Sequence, residues 1–223
     1  MKGKLAIRAL TKYIAGLIIV ALLLFLPAGT LAYRNGWLFI GLLFVPMFFL
    51  GLVLLCKAPE LLEKRLKSKE EATEQKQVVG LSALMFLAGF ILAALDYRFQ
   101  WTQLSDGIVL TASILLLFSY GMYMEVMREN AYLSRVIEVQ ENQTVIDTGL
   151  YGIIRHPMYS STIILFLSIP LVLGSGIAFV LFLFYPVLMV KRIRSEEQIL
   201  EQGLDGYKEY KQKVRYRLIP FIW

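Results

Sequence analysis

Four long uncharged runs occupy the first half of the chain: Tyr13 to Tyr33, Asn35 to Cys56, Gln77 to Leu95 and Gly107 to Met124. Each is close to the ~20 residues that an α-helix needs to cross ~30 Å of hydrocarbon, so four spanning helices are predicted. A fifth run, His156 to Val190, holds 35 residues and is interrupted by Gly174-Ser175-Gly176. Its two arms of about 17 residues reach roughly 25 Å each at helical rise, which predicts a helical hairpin slightly short of two full crossings. The fold class is therefore an all-α polytopic membrane protein with about six transmembrane helices, the last two forming the hairpin.

The connecting segments carry weaker patterns. In "KAPELLEKRLKSKEEATEQKQ", Lys57 to Gln77, Glu60 precedes Lys64 by four positions and Glu63 precedes Lys67 by four, with Leu61, Leu62 and Leu66 as an apolar edge. That spacing predicts a solvated or interfacial helix. Between Arg135 and Thr148, two β-favouring runs flank Glu141-Asn142, which predicts a short strand pair. One membrane domain is expected, with residues 1–94 as its front transmembrane part and residues 95–223 as the half that carries the chemistry.

Composition agrees with the run lengths. At 57% hydrophobic side chains in 223 residues, the chain lies outside the range of soluble single domains. The net charge of +6 raises nucleic acid as a partner, but the basic residues are sorted by membrane side instead. Six crossings put both termini on one face. On that face lie 4 Lys and Arg before the first helix, 6 from Lys57 to Lys76, 3 from Arg128 to Arg155 and 8 from Lys191 onward; the other face holds only Arg34 and Arg98. This bias orients both termini and the large loops to the cytoplasm, and no nucleic-acid partner is expected. The first apolar run has the length of a full span, which predicts a retained helix rather than a cleaved leader. Cys56 is the single thiol, so a disulfide framework or a cysteine metal cluster within one chain is excluded.

Several site chemistries fall away on residue types alone. Neither a dinucleotide fingerprint nor a Walker loop is present, and one histidine with one cysteine leaves no room for most zinc or haem arrangements. Ser160 and Ser161 lie near His156, but no nucleophile elbow accompanies them. Two polar clusters remain. In the first, Arg155-His156-Pro157-Met158-Tyr159, proline suits the first turn of a helix and pushes the preceding residue toward an extended conformation. His156 then faces a helix start whose amides and dipole, with Arg155 alongside, favour an anion. An equally simple reading makes Arg155 a topology charge, Tyr159 part of the interfacial aromatic belt and His156 a boundary residue.

The second cluster is "KRIRSEEQILEQGLDGYKEY", Lys191 to Tyr210. If the last membrane helix continues outward, Arg192 and Glu196 share a face, while Glu197 lies about 140° around the axis from Arg192. Alternatively, Ser195 and Gln198 form a capping box that starts a new helix, with Glu196 and Glu197 favouring its dipole. The two clusters lie at the two ends of one hairpin, so antiparallel packing returns them to one face.

"GLYGIIRHPMYSS", followed after 34 residues by "EE" and then by "LDGYKEYKQKVRYRLIPFI", resembles the integral-membrane methyltransferases that include isoprenylcysteine carboxyl methyltransferase and the phospholipid N-methyltransferases. The resemblance extends upstream through "LDYRFQW" and "MRENAYLSRVIEVQENQTVIDTG", covering Leu95 to Trp223; Met1 to Ala94 supports it only as generic membrane helices. It implies S-adenosylmethionine as cofactor, held by C-terminal helices and cytoplasmic loops. His156, Pro157 and Tyr159 match the family's RHPxY positions, with Arg155 at their head, and Glu196 and Glu197 match its EE pair. Arg192 and Glu197 match the arginine and second glutamate implied near the substrate as catalytic residues. Ser161 stands where the family's pattern often has glycine.

The resemblance also implies how these residues serve methyl transfer. That reaction is an in-line displacement, which depends on positioning and on exclusion of water rather than on a covalent nucleophile. In this reading His156 meets the cofactor's carboxylate, Tyr159 packs against the cofactor, and Glu196 or Glu197 takes its amino or ribose groups. The acceptor is lipid-like and enters from the bilayer, so membrane lipids and a lipid or prenylated acceptor are the expected partners. A prenylcysteine carboxylate is already ionised and needs a cation such as Arg192 to orient it. A phospholipid amine must first lose a proton, which requires Glu196 or Glu197 as base. Arg192 beside the glutamates favours O-methylation of an isoprenylated cysteine, with N-methylation of a phospholipid as the alternative. Some membrane sterol reductases share an RHPxY-like C-terminal half and bind a nicotinamide cofactor, and a non-enzymatic scaffold is the remaining alternative. The EE pair favours the methyltransferase.

Overall fold

The computed structural model describes residues 2–66, 73–134 and 139–223. It is an all-α, multi-pass membrane architecture. In chain order the helices are α1 (Lys2–Ala28), α2 (Arg34–Lys57), α3 (Pro59–Leu66), α4 (Thr73–Phe99), α5 (Asp106–Glu129), α6 (Pro157–Val172), α7 (Gly176–Phe182), α8 (Phe184–Gly203) and α9 (Tyr207–Lys213). Among the described residues, five segments are long and apolar enough to cross a membrane: Gly3–Ala28, Arg34–Lys57, Lys76–Phe99, Asp106–Glu129 and Gly176–Gly203. The sixth apolar helix, α6, has 16 residues and spans roughly 24 Å, short of a full crossing by itself.

The elements differ from the hydropathy runs at their ends for physical reasons. α1 begins at Lys2 rather than near Tyr13, because Lys4, Arg8 and Lys12 recur at four-residue spacing and do not interrupt a helix that projects beyond the bilayer. It stops at Ala28, where Gly29 takes φ +70°, so the expected extension to Tyr33 is not helical. Within the segment Lys57 to Gln77, the expected solvated or interfacial helix is present as α3, α4 begins at Thr73, and the part at 67–72 lies outside the described residues. For the expected strand pair, residues 135–138 also lie outside the described set, and the remainder forms no strand. A turn at Glu141-Asn142 is present, closed by Gln143 N–H donating to the Gln140 carbonyl at 3.1 Å. The Ser195–Gln198 capping box is absent because α8 runs unbroken to Gly203.

The main core joins both parts of the chain. Leu24, Tyr33 and Phe39 from the front pack in one cluster with Ile169, Phe182 and Ile193 from the back. Gly89 permits the close approach of α4 and α7, since a Cβ there would lie 2.2 Å from Phe182 Cε2. Outward-facing Leu22, Phe49, Leu110 and Val180 are exposed, as lipid-facing side chains are in a helical membrane protein.

A polar lock holds the turn between α6 and α7. Gly174 adopts φ +81°, and Ser175 caps α7 by accepting from Ala178 N–H. The buried Asp96 carboxylate accepts from Thr102 N–H at 2.6 Å and from the Thr102 and Ser175 hydroxyls. Tyr33 donates to the Leu173 carbonyl at 2.6 Å. These bonds satisfy polar groups otherwise buried among apolar helices. They also set where α6 and α8 run, and so where their opposite ends meet.

Candidate functional site

Pro157 occupies the first position of α6, and His156 precedes it with φ −125° and ψ 59°, non-helical as a residue before proline should be. The tail beyond α9 folds against this corner. Arg155 N–H donates to the Tyr216 carbonyl and His156 N–H to the Arg217 carbonyl, both at 2.9 Å. The Arg155 guanidinium adds Nη1 bonds to the carbonyls of Val214 at 2.7 Å and Arg215 at 2.8 Å. Ser160 Oγ donates to the Leu218 carbonyl at 2.8 Å.

At the centre lies Glu197, projected from α8. Its Oε1 accepts from Arg155 Nε at 2.8 Å and lies 3.3 Å from His156 Nε2; its Oε2 accepts from Arg217 Nε at 2.9 Å. Lys211 Nζ is 4.0 Å from Oε2. Arg155, His156 and Glu197 are all buried. A carboxylate so enclosed is tolerable only because each oxygen has cationic or hydrogen-bonding partners. The anion attracted by the basic corner is, in the first instance, the chain's own Glu197.

A second string runs beside the first. Tyr159 donates to Glu196 Oε2, and Arg192 Nε donates to the Tyr159 hydroxyl at 3.1 Å. Arg192 and Glu196, one turn apart on α8, thus share one phenol from α6. Tyr159 and Arg192 are buried, and Glu196 is half-buried.

These groups border a narrow cleft of about 100 Å³. Arg155, His156, Tyr159 and Glu196 form its charged end; Tyr151, Tyr207, Tyr210, Leu200 and Leu204 form an aromatic and apolar wall, and Asn130, Tyr132 and Ser134 close the side from the loop after α5. Glu197 and Arg192 do not line the cleft; they stand behind its lining. Tyr210 donates to the Tyr151 carbonyl at 2.8 Å, and Asn130 Nδ2 donates to the Tyr151 hydroxyl at 3.0 Å. Burial pushes the phenols of Tyr151, Tyr207 and Tyr210 well above their ordinary pKa, so all three stay neutral across the physiological range.

Sequence spacing alone did not reveal three participants. Arg217 meets Glu197 only because the tail folds back. Tyr207 lies within the quoted C-terminal stretch, but nothing in its neighbours assigns it to a cleft. Arg65, on α3, donates through Nη1 to the Ser134 carbonyl at 3.2 Å and to Met158 Sδ at 3.7 Å, and through Nη2 to the Tyr123 hydroxyl. The paired charges of the α3 segment mark its solvated face, whereas Arg65 braces two cleft-lining residues.

Residues 110–202 match the model of the Isoprenylcysteine carboxyl methyltransferase (ICMT) family. The matched segment includes the RHPMY corner, Arg192 and the Glu196-Glu197 pair, and excludes α3, Tyr207 and Arg217. Over 79 residues the chain is 33% identical to the Delta(14)-sterol reductase TM7SF2 of Mus musculus, a match covering 34% of this chain and 19% of that protein. The chain thus aligns with about a fifth of the length of that curated relative.

Proposed function

We propose that the protein is an S-adenosylmethionine-dependent integral-membrane methyltransferase whose acceptor is the carboxylate of an isoprenylated cysteine. The observation that carries this reading is the cleft itself. It joins a charged, hydrogen-bonding end, within the segment that matches the methyltransferase family, to an aromatic wall to which Tyr207 and Tyr210 contribute from beyond that segment. In the accompanying topology six helices cross the bilayer as a single domain, with residues 1–94 in front and 95–223 catalytic. The last two crossings pair as a hairpin, and both termini and the cleft face the cytoplasm. The positive-inside distribution of lysine and arginine supports that orientation.

The residues present fit the cofactor. Its purine suits the tyrosine-rich wall, and its amino-acid arm suits the end bordered by Arg155, His156, Tyr159 and Glu196, where Pro157 starts α6. When bound, it supplies a methyl group on a positively charged sulfur. The chain's own residues position and desolvate. Glu197 keeps Arg155 and His156 in place, because both its oxygens are engaged, and this favours a positioning role over proton abstraction. Arg192, oriented through Tyr159, draws the acceptor carboxylate into line. An acceptor carboxylate is already ionised, so no residue of the chain would need to take a proton from it.

A second reading, a nicotinamide-dependent membrane reductase, draws on the match to the sterol reductase. Calorimetric titration of the detergent-solubilised chain separates them. Binding of adenosylhomocysteine in preference to reduced nicotinamide phosphate is expected; the reverse preference would overturn the methyltransferase.

A further inference from the structure

A second hollow lies apart from the cleft, between α1, α2 and α3. Leu10 and Tyr13 of α1, Leu52 and Leu55 of α2, and Leu62 and Leu66 of α3 line about 270 Å³ of apolar space. Tyr13 closes one end, packed edge-on against Phe44 and donating to the Phe44 carbonyl at 3.1 Å. A Cβ added at Gly51, on the α2 wall, would meet nothing within 4 Å, so the hollow reaches the α2 backbone. Leu10 and Leu52 are exposed, and the space opens outward between two membrane-crossing helices. Apolar space in that position takes a lipid chain.

Charge selects the lipid. Among the described residues, Lys12 is the one charged group on the wall of the hollow. Its ammonium donates to the carbonyl of Leu66, the last residue of α3, at 2.7 Å. An ammonium has three N–H groups, so two further donors remain for the oxygens of a ligand. Arg8 and Lys4 stand one and two turns before Lys12 on the same side of α1, and neither α1 nor α2 contains an aspartate or glutamate. On α3, Glu60 and Glu63 are matched in number by Lys64 and Arg65, which leaves Lys4, Arg8, Lys12 and Lys57 as the balance at this end of the three helices. A chain-sized apolar space with cations along its rim fits a lipid whose headgroup is anionic.

We propose that the hollow between α1, α2 and α3 binds an anionic phospholipid of the surrounding leaflet, with its chain against Leu10, Leu52 and Leu55 and its phosphate at Lys12. The site is separate from the cleft, and it stands or falls independently of the methyltransferase reading. Its occupant lies against Leu62 and Leu66, while Leu61 and Arg65 of the same helix are turned to the residues that wall the cleft.

The test is native mass spectrometry of the full chain released from detergent, titrated with dioleoyl phosphatidylglycerol and, as the zwitterionic control, dioleoyl phosphatidylcholine. Wild type is expected to bind phosphatidylglycerol about tenfold more tightly, the scale of one charge-assisted contact. Lys12→Gln is expected to bring the two lipids level, and Lys12→Arg, which keeps the charge, to retain the preference. Gly51→Leu fills the hollow from a position that has room for a side chain and favours the helix, and it is expected to weaken both lipids about tenfold. Arg128→Gln, which removes an exposed cation of α5, is expected to change neither. A preference that persists in Lys12→Gln, or lipid binding untouched by Gly51→Leu, would overturn the proposal. So would displacement of the bound lipid by N-acetyl-S-farnesylcysteine, which would give the hollow to an acceptor's chain, or dimers in place of lipid adducts, which would give it to a second copy.

Discussion

Arg155 Nε and Glu197 Oε1 meet at 2.8 Å with both side chains almost wholly enclosed, 3% and 4% exposed. The pair joins the start of α6 to the outer part of α8 and, through Arg217, to the C-terminal tail. Removing one member leaves the others charged and buried, which costs about 3–5 kcal/mol in comparable settings. Glu197→Ala is therefore expected to lower the unfolding temperature sharply in detergent and to abolish adenosylhomocysteine binding. Glu197→Gln keeps the shape and loses the charge, and is expected to fall between. A Glu197→Ala protein with wild-type stability would show that the cluster holds nothing together.

Arg192 presents a different balance. It bonds Tyr159 from behind the lining of the cleft, and the proposed role is to orient the acceptor, not to hold the cofactor. Arg192→Lys retains the charge but not the planar fork that matches a carboxylate. Turnover is expected to drop about a hundredfold, the scale of a small misplacement of reacting groups, with adenosylhomocysteine affinity unchanged. Weakened cofactor binding with normal turnover at saturation would move Arg192 to the cofactor's side of the site.

Arg65 links α3 to the site by way of the Ser134 carbonyl and Met158 Sδ, both belonging to residues that line the cleft. Leu61, one turn earlier, packs with Val126, Leu133 and Tyr151. Arg65→Ala is expected to loosen that wall and weaken adenosylhomocysteine binding about three- to tenfold, the scale of one or two lost hydrogen bonds. Calorimetry beside an unfolding curve checks this, and an unchanged affinity would confine Arg65 to a stabilising role.

The membrane helices were legible because hydrocarbon thickness imposes a run length that soluble proteins seldom produce. The helical start at Pro157 was legible for a local reason, the geometry of proline and its predecessor. Their true ends were less so: Lys4, Arg8 and Lys12 read as the edge of a span, yet a helix carries such side chains into the headgroup region without interruption. Ser195 and Gln198 had capping-box spacing, but α8 continues through them, since a capping box forms only where the preceding chain leaves the helix. Within the site, the joining of Arg192 and Glu196 through Tyr159 follows from one-turn spacing on a single helix. The meeting of Arg217 with Glu197, and the place of Tyr207 in the cleft wall, depend on how the tail folds over the start of α6, and no local pattern encodes that return.

The most direct test of methyl transfer supplies the reconstituted protein with methyl-labelled S-adenosylmethionine and N-acetyl-S-farnesylcysteine, beside His156→Ala, and measures base-labile label in the farnesylated product. Label that appears with wild type and falls to background in the variant is the expected result. Wild-type protein that binds adenosylhomocysteine but transfers no label to that acceptor, while labelling a phospholipid amine in a base-stable bond, would contradict the carboxyl acceptor.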